Sequence, residues 1–383
     1  MTDSRWPLAL VGGGAGSFIG NVHRMAAGLD GRFHLVAGAF SSHPDRAREA
    51  ASRYTVDPAR AYPDYRAMIA TEAARADGAR VIAIAAPNHL HLPVARAALE
   101  AGMAVISDKP ATATLEEAIE LRAIVTRSRA PYALTYTYTG YPMLREARHV
   151  CLSGALGEIR KAVVEYPQGW LAEDVENHGS RQALWRTDPA QAGHGGCIGD
   201  IGVHAFNALE FVSGLRVRRL CAQLSTVVPG RALDDDCNLL LTLGAQEAPA
   251  VLQASQIATG SRNGLRLRLW GTAGGLDWCH EAADRLVIDR ADGTTEIRHA
   301  ATPGLSDIAL AASRLPPGHP EGFVEAFANI YRDFADLIAG AQPACLQGID
   351  EGVRGMAFVH HAITSSRQRQ WVDFTMPNGE TAR

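Results

Sequence analysis

The first 140 residues of this 383-residue chain alternate short, uniformly apolar runs with segments of helical pattern. The apolar runs cover residues 7–11, 33–40, 81–86, 104–107 and 132–138, and the helical patterns cover 23–29, 45–54, 92–101 and 115–128. Strands that are apolar on both faces and alternate with helices are typical of a parallel sheet with helices on both sides. The alternation therefore predicts an N-terminal α/β domain with a doubly wound parallel sheet.

A different pattern begins after residue 141. Strand-like runs follow one another with few helices between them, at residues 159–166, 220–227, 238–243, 250–257 and 265–270. Successive strands of this kind favour an α+β domain with an open, largely antiparallel sheet. We therefore predict a first domain over residues 1–140 and a second over residues 141–383. The late helical stretches 322–338 and 353–366 are expected to pack against the body rather than form a third domain.

Composition argues against several classes of protein. Hydrophobic residues make up 47% of the chain and charged residues 20%, which suits folded domains with sizeable cores. The formal net charge is −4 and the basic residues are scattered singly, so we expect no nucleic-acid partner. The apolar runs are too short to span a bilayer, and the run at residues 6–11 is too short for the core of a signal peptide.

The cysteines point to a reducing compartment. None of the six stands in a CxxC pair or at another metal-ligand spacing, so we expect reduced, buried thiols and no metal site. Such usage fits a cytoplasmic protein. The six are Cys151, Cys197, Cys221, Cys237, Cys279 and Cys345.

A glycine cluster follows the first predicted strand. Glycines let the backbone approach a pyrophosphate, and the N-terminus of a following helix favours anions. Ser17 stands where a third glycine is expected and the next glycine is Gly20, so the turn is longer than usual. A flexible strand–helix turn is the competing interpretation. The predicted cofactor-binding residues in this turn are Gly12, Gly14, Gly16, Ser17, Phe18 and Ile19.

The end of the second predicted strand bears on the choice of cofactor. An acidic residue there binds the adenosine ribose of NAD, whereas an arginine accommodates the phosphate of NADP. Ser41 and Ser42 occupy this place, with Arg46 a few residues later. Because the serines supply no positive charge for a phosphate, we predict NAD, with NADP as the alternative.

Two further candidate segments follow the third and fourth apolar strands, at the edge where ligands bind in open α/β sheets. The first contains Pro87, Asn88 and His91, predicted to line the cofactor; a plain turn and a surface at the start of a helix are the alternatives. The second contains Asp108 and Lys109, also predicted to line the cofactor. A lysine at this edge can polarise an oxygen or carry a proton, although most single lysines are solvated surface groups.

The stretch 195–204 reads GGCIGDIGVH and leads into a helical pattern that ends near Gly214. At this spacing Asp200 and His204 lie one turn apart on the same face of a helix. A carboxylate and an imidazole beside glycines suit a proton-transfer pair. A helix-capping aspartate and a surface histidine are the competing interpretations.

Four stretches together resemble the Gfo/Idh/MocA family of oxidoreductases over nearly the whole chain. They are APNHLH at 86–91, AGMAV at 101–105 followed by DKP at 108–110, GGCIGDIGVH at 195–204, and WGTAGGL at 270–276. The resemblance implies a Rossmann domain with bound NAD or NADP, a second domain with an open-faced sheet, and a homodimer or homotetramer. It also implies that Lys109, Asp200 and His204 surround a sugar or polyol hydroxyl that loses hydride. Asp108 replaces the usual glutamate.

In this interpretation His204 takes the hydroxyl proton, Lys109 stabilises the alkoxide and Asp200 orients the pair. We expect substrate contacts from the second domain, because aromatic faces suit sugar C–H surfaces and arginine suits hydroxyls or an anionic substituent; ordinary structural packing is the competing interpretation. Two alternatives have the same motifs: a cofactor-binding regulator and an NAD-dependent glycoside hydrolase that works by transient oxidation. The predicted substrate residues are Trp170, Trp185, Arg186 and His319, and candidates for the extra acid–base group of a hydrolase are Tyr138, Tyr141, His178 and His319.

Overall fold

A computed structural model describes residues 5–14 and 16–377. In chain order its strands are β1 (Trp6–Gly12), β2 (Phe33–Ala39), β3 (Val81–Ala85), β4 (Ala104–Ser107), β5 (Tyr132–Leu134), β6 (Ile159–Pro167), β7 (Val217–Ser225), β8 (Asp236–Leu243), β9 (Ala248–Ser255), β10 (Arg266–Gly271), β11 (Gly274–Cys279), β12 (Arg285–Arg290), β13 (Thr295–His299) and β14 (Val372–Asp373). Its α-helices are α1 (Phe18–Leu29), α2 (Pro44–Arg53), α3 (Tyr65–Ala74), α4 (His91–Glu100), α5 (Leu115–Ser128), α6 (Pro142–Leu152), α7 (Arg181–Arg186), α8 (Pro189–Ala192), α9 (Val203–Ser213), α10 (Asp307–Leu310), α11 (Phe323–Ile338) and α12 (Ile349–Gln368).

The chain forms two compact units. The first contains the residues up to Thr137 together with Phe323–Val353, and the second contains Tyr138–Gly322 and the residues from Arg354 onward. The contiguous division predicted from the sequence differs at 323–353, which rejoins the first unit. The physical reason is α11, whose apolar face is buried in the core formed by α1 and the parallel strands. An amphipathic pattern reveals that a helix has a face to bury, but not which sheet will cover it.

The sheet of the first unit is parallel, with five strands among the described residues in the order β2-β1-β3-β4-β5. All five residues of β3 are buried. Leu8, Leu10 and Val81 share a core with α1 and α11, while α4 packs on β3 and β4. Because neighbouring residues of a strand point to opposite faces, both faces of the sheet are covered. The predicted doubly wound parallel sheet is confirmed.

Local differences from the predicted elements have local causes. Helix α1 begins at Phe18 rather than residue 23, because the Ser17 side chain accepts a hydrogen bond from the amide of Gly20 and caps the helix. Helix α3 was not predicted; its alanine-rich sequence has little amphipathic pattern, and Asp64 caps it through two amides. The predicted strand 132–138 ends at Leu134, and a 3₁₀ turn at Thr137–Gly140 follows.

The second unit is built on a mixed, largely antiparallel sheet. Its nine described strands have the order β13-β12-β11-β10-β6-β9-β8-β7-β14, and among these pairs β6 and β9 run parallel. Helices α6 and α9 pack on this sheet and on each other. Side chains such as Leu240, Trp270 and Ile297 are exposed. The predicted α+β domain with an open, largely antiparallel sheet is confirmed.

The helices also bear on membrane association. The longest, α12, has 20 residues and carries Asp350 and Glu351 in its first turn and Arg367 in its last. Within residues 5–14 and 16–377, we find no helix with both the length and the apolar character that crossing a bilayer requires.

Candidate functional site

The glycine turn after β1 has a backbone that other residues would not adopt easily. Gly12, Gly13 and Gly16 have φ values of +87°, +74° and +83°. A Cβ on Gly12 would lie 2.3 Å from the carbonyl oxygen of Ala85. Glycine alone therefore allows the end of β1 to approach the end of β3 so closely.

Gly20 allows α1 to pack closely on the glycine turn, although a third glycine was expected at position 17. A Cβ on Gly20 would lie 2.2 Å from the Cα of Gly13, so the first turn of α1 packs directly on the glycine turn. Ser17 caps the helix at 3.2 Å from the Gly20 amide, Phe18 is 64% exposed and Ile19 is half-buried. The sequence analysis left Gly20 out of the site because Gly20 lies three residues after the position where the third glycine is expected.

The end of β2 lies beside this turn. A Cβ on Gly14 would be 2.8 Å from the carbonyl oxygen of Phe40 and 3.5 Å from the Cβ of Ser41. Ser41 is half-buried, Ser42 is exposed and Arg46 is half-buried in the first turn of α2. The glycine turn and the end of β2, two segments predicted to meet a dinucleotide, thus lie side by side at one edge of the sheet.

His91 joins the loops that follow β3 and β4. Its Nδ1 lies 2.7 Å from the carbonyl oxygen of Pro110 and its Nε2 lies 2.9 Å from that of Ala86. The ring is 1% exposed, and burial lowers the pKa of this imidazole. The neutral imidazole donates from one nitrogen to one of these carbonyls and its ring packs between the two loops, so His91 acts as a brace, while its predicted cofactor contact stays a prediction. Asn88 is buried beside it and Pro87 is half-buried.

Asp108 fixes the backbone at Lys109. Its Oδ1 accepts hydrogen bonds from the Lys109 amide and from the Thr135 hydroxyl, both at 2.9 Å. The Asp108 amide in turn donates to the carbonyl of Ile84 at 2.9 Å. The shorter carboxylate is therefore tied into the ends of β3, β4 and β5. The sequence analysis did not identify Thr135, because it assigned this residue to the interior of a strand.

In the second unit, the stretch 195–204 continues directly into a helix. A π-helical turn at Ile198–Gly202 leads into α9, which ends at Ser213 and is followed by Gly214 with a φ of +69°. His204 is 8% exposed, and its ring meets the ring of Tyr138 edge-on with centroids 5.1 Å apart. The predicted helix after Asp200 is present, and the histidine is buried rather than a surface group.

The Asp200 carboxylate is held by two side chains from distant parts of the chain. Its Oδ2 accepts a hydrogen bond from Gln256 Nε2 at 2.8 Å and lies 3.3 Å from Nε of Arg186. Gln256 is 2% exposed. Sequence analysis missed Gln256, because a single glutamine after a strand carries no recognisable spacing.

The predicted substrate residues Trp170, Trp185 and Arg186 form one group. The guanidinium carbon of Arg186 lies 4.2 Å from the centre of the Trp185 ring and 5.8 Å from that of Trp170. Nη1 of Arg186 donates to the carbonyl and side-chain oxygens of Gln182 at 3.2 and 2.6 Å. Through its ion pair with Asp200, the arginine connects these aromatic rings to the predicted catalytic carboxylate.

A network of phenols and amides lies next to His204. Tyr166 hydrogen-bonds to Tyr138 and donates to Asn263 Oδ1 at 2.6 Å, while Asn263 Nδ2 donates to Tyr138 at 3.2 Å. Gln168 donates to Asn263 at 2.7 Å. Burial raises the pKa of Tyr138 to about 12. Sequence analysis did not identify Tyr166, Gln168 or Asn263, which become neighbours only when the sheet forms.

The remaining predicted residues lie in other surroundings. His319 is exposed and lines a shallow depression with Tyr141, Pro142 and Glu321. Tyr141 is buried and its hydroxyl lies 2.9 Å from Nε2 of His280. His178 is exposed, with its Nδ1 at the carbonyl oxygen of Asp174. The described contacts of these residues do not join them to the Arg186–Asp200 group.

Two family profiles match the chain, one for each unit. The oxidoreductase family with an NAD-binding Rossmann fold matches residues 8–136. The Gfo/Idh/MocA C-terminal domain matches residues 144–277. The two matched ranges contain the glycine turn and Lys109 in the first case, and Asp200 and His204 in the second.

Characterised and uncharacterised oxidoreductases are similar to this chain over most of their length. The uncharacterized oxidoreductase YfiI of Bacillus subtilis is 33% identical, over 97% of this chain and 96% of its own. Levoglucosan dehydrogenase of Pseudarthrobacter phenanthrenivorans is 27% identical, over 74% and 77%. An inositol dehydrogenase homolog from Azotobacter vinelandii, solved with NAD⁺ and with NADH and myo-inositol, is 34% identical over 97% and 98%, with TM-scores of 0.92 and 0.90.

Proposed function

This chain belongs to the Gfo/Idh/MocA family of oxidoreductases, and from that premise we propose that it oxidises a hydroxyl of a neutral sugar or cyclic polyol with NAD. The names of the relatives support this class of substrate. The observation that carries the proposal is the Asp200 carboxylate, which Gln256 and Arg186 hold one turn before a buried His204.

The first unit fits a dinucleotide. Gly12 and Gly14 leave no room for a side chain where the turn approaches neighbouring backbone, and the capped N-terminus of α1 favours a pyrophosphate. When bound, the nicotinamide supplies the carbon that accepts hydride. We favour NAD over NADP because Ser41 and Ser42 offer hydroxyls rather than a positive charge at the adenosine ribose.

Three side chains would act on the substrate hydroxyl. His204 would accept its proton, Lys109 would stabilise the negative charge that develops on the oxygen, and Asp200 would orient both. Loss of the proton from the hydroxyl oxygen and of hydride from the carbon that bears it leaves a carbonyl, so atoms and charges balance. The matched motifs contain all three residues, which supports an active enzyme over a cofactor-binding regulator.

A neutral substrate is favoured by the partners of Arg186. An arginine that binds a substrate carboxylate needs a guanidinium face without a competing carboxylate. Arg186 is instead paired with Asp200, bonded to Gln182 and stacked near Trp185. The aromatic rings of Trp170 and Trp185 suit the C–H faces of a sugar or polyol ring.

Net oxidation is favoured over redox-assisted glycoside hydrolysis. The hydrolase would need a second acid–base group for the proton beside the new carbonyl. Among the candidates, Tyr138 has its pKa raised to about 12 by burial, so it keeps its proton at neutral pH. Tyr141 is engaged with His280, and His178 and His319 are exposed. None of these surroundings favours a base.

We further propose a homodimer or homotetramer in the cytoplasm. The second unit exposes Leu240, Trp270 and Ile297 on strands of its open sheet, apolar side chains that a second copy of the chain would cover. The reduced, partly buried cysteines support a reducing compartment.

The test is a substrate screen with two variants. The protein is incubated with myo-inositol, levoglucosan or a p-nitrophenyl glucoside, with NAD and separately with NADP, while reduced cofactor and released nitrophenol are followed. We expect reduced cofactor to accumulate, with tighter binding of NAD.

Lys109→Ala and His204→Asn should each lower kcat by about 10²–10⁴-fold without loss of NAD affinity. His360→Asn, an exposed histidine on α12, is the control.

Two results would contradict the proposal. Many turnovers of the glucoside without added cofactor or net reduction would favour the hydrolase. Full activity of Lys109→Ala or His204→Asn would remove that residue from the mechanism.

A further inference from the structure

Asp234, in the loop between β7 and β8, binds the start of the segment that carries Asp200 and His204. One carboxylate oxygen accepts the amide of Gly196 at 2.7 Å and the other accepts the amide of Ile198 at 2.7 Å. The carbonyl oxygen of Asp234 accepts the amide of Cys197, also at 2.7 Å. One residue thus satisfies three consecutive amides at the start of a helical segment, which have no partners within the helix itself.

The contact between the two segments is tight. A Cβ on Gly196 would lie 2.1 Å from the carbonyl oxygen of Asp234, so the observed approach requires glycine at this position. Cys197 is 0% exposed. The start of segment 195–204 is therefore enclosed, and its position depends directly on Asp234.

The neighbouring Asp235 holds a different part of the same unit. Its carboxylate accepts the amides of Val227 and Val228 at 2.8 and 3.0 Å and pairs with Arg231 at 3.2 Å. Arg231 donates to the carbonyls of Leu171 and Glu173 at 2.7 and 2.8 Å, which fixes the loop just after Trp170. The two adjacent aspartates thus serve two separate segments.

Hydrogen bonds of Gln256 connect Asp235 to Asp200. The carbonyl of Asp235 accepts the amide of Gln256 at 2.9 Å, and the Gln256 side chain donates to Asp200. Asp200 is therefore connected to the 234–235 loop in two ways. It belongs to the segment that Asp234 caps, and it accepts a hydrogen bond from Gln256, whose amide donates to Asp235. A displacement of that segment would move Asp200 against its partner Gln256.

We propose that Asp234 is a positioning residue of the active site, which holds segment 195–204 where Asp200 and His204 can act. The proposal rests on the proposed function for its catalytic consequence, while the capping itself does not. Desolvation raises the pKa of Asp234 to about 6, and the amides of Ile198 and Gly196 act in the opposite direction. At neutral pH the carboxylate is therefore the form that accepts both amides.

The test compares Asp234→Asn with Asp235→Asn. Amide hydrogen exchange is measured on peptides that cover residues 195–204 and 168–178, and kcat and KM are measured with myo-inositol or levoglucosan. In Asp234→Asn we expect exchange in 195–204 to rise about ten-fold or more and kcat to fall on the order of 10²-fold, because an amide side chain can accept only through one oxygen. NADH affinity should stay unchanged. In Asp235→Asn we expect faster exchange in 168–178 and a higher KM instead.

A second pair of variants covers the case in which Asp234→Asn does not fold. Gly196→Ala places a methyl group against the Asp234 carbonyl, whereas Gly199→Ala places one where no atom lies within 4 Å. Exchange in 195–204 should rise in the first and not in the second.

The outcomes separate the two proposals. Unchanged exchange in 195–204 in Asp234→Asn, or in Gly196→Ala if that is the variant that folds, overturns the capping role. Faster exchange with an unchanged kcat overturns the positioning role. A wild-type protein that oxidises none of the compounds contradicts the proposed function, while the exchange measurement still decides whether Asp234 holds the segment.

Discussion

Replacing Gly20 by alanine tests how closely α1 must pack on the glycine turn. The added Cβ would lie 2.2 Å from the Cα and 3.1 Å from the amide nitrogen of Gly13, and 3.2 Å from the Ser17 hydroxyl. Two of these three contacts are with backbone, so a rotamer change cannot relieve them. Either the helix or the glycine turn must shift.

The magnitude follows from two opposing effects. Overpacking of this kind costs about 1–3 kcal/mol, while alanine in a helix is better than glycine by up to about 1 kcal/mol. Gly28 provides a matched control, because it lies in the same helix and a Cβ there meets nothing within 4 Å. Gly28→Ala has only the favourable effect. The difference in free energy of unfolding between the two variants should therefore equal the clash, about 1–3 kcal/mol.

The assay is urea denaturation of both variants and the wild type, followed by titration with NADH. Gly20→Ala should be the less stable variant and should bind NADH more weakly, because the displaced turn can no longer approach a pyrophosphate. Gly28→Ala should bind NADH like the wild type. Equal unfolding free energies for the two variants, within about 0.5 kcal/mol, together with equal NADH affinity, would refute this reasoning.

Two further predictions concern buried groups of the first unit. Burial raises the pKa of Glu72, but hydrogen bonds from Arg60 and the Ala79 amide outweigh it and leave the pKa below its ordinary value. Its stabilisation is therefore complete above the unfolded pKa and is lost as pH falls through the folded value; Glu72→Gln should flatten the loss of stability toward acid, measured by urea denaturation between pH 7 and pH 4. His91→Phe should lower the unfolding free energy by about 1–3 kcal/mol, since phenylalanine keeps a ring between the two loops but leaves a buried backbone carbonyl without its donor; an unchanged denaturation midpoint would exclude the brace.

Much of the first unit could be predicted because its elements are locally encoded. Strand β4 and helix α5 have the predicted bounds, since a uniformly apolar run and a threonine-capped amphipathic run each specify one structure. The glycine turn was recognisable because consecutive residues with positive φ strongly favour glycine. The one-turn spacing of Asp200 and His204 is likewise a property of five consecutive residues.

The roles of His91 as a brace and of Asp234 as the cap of segment 195–204 could not be predicted. His91 looked like a helix-start residue, and Asp234 belongs to a run of three aspartates that resembles a solvated loop. Gln256 carries no motif at all. Each acquires its role from a partner far along the chain, 36 to 38 residues away for Asp234 and 56 for Gln256.

The sequence by itself therefore determined the alternation of strands and helices, the glycine turn and the residue types able to carry the chemistry. Only the tertiary structure decided that α11 returns to the parallel sheet, that Gly20 packs on Gly13, and that Asp200 is held by Gln256 and Arg186. The physical reason is the separation along the chain over which each interaction acts. Backbone propensity and periodicity act over a few residues, whereas burial and hydrogen bonding between distant segments depend on which surfaces meet when the whole chain is packed.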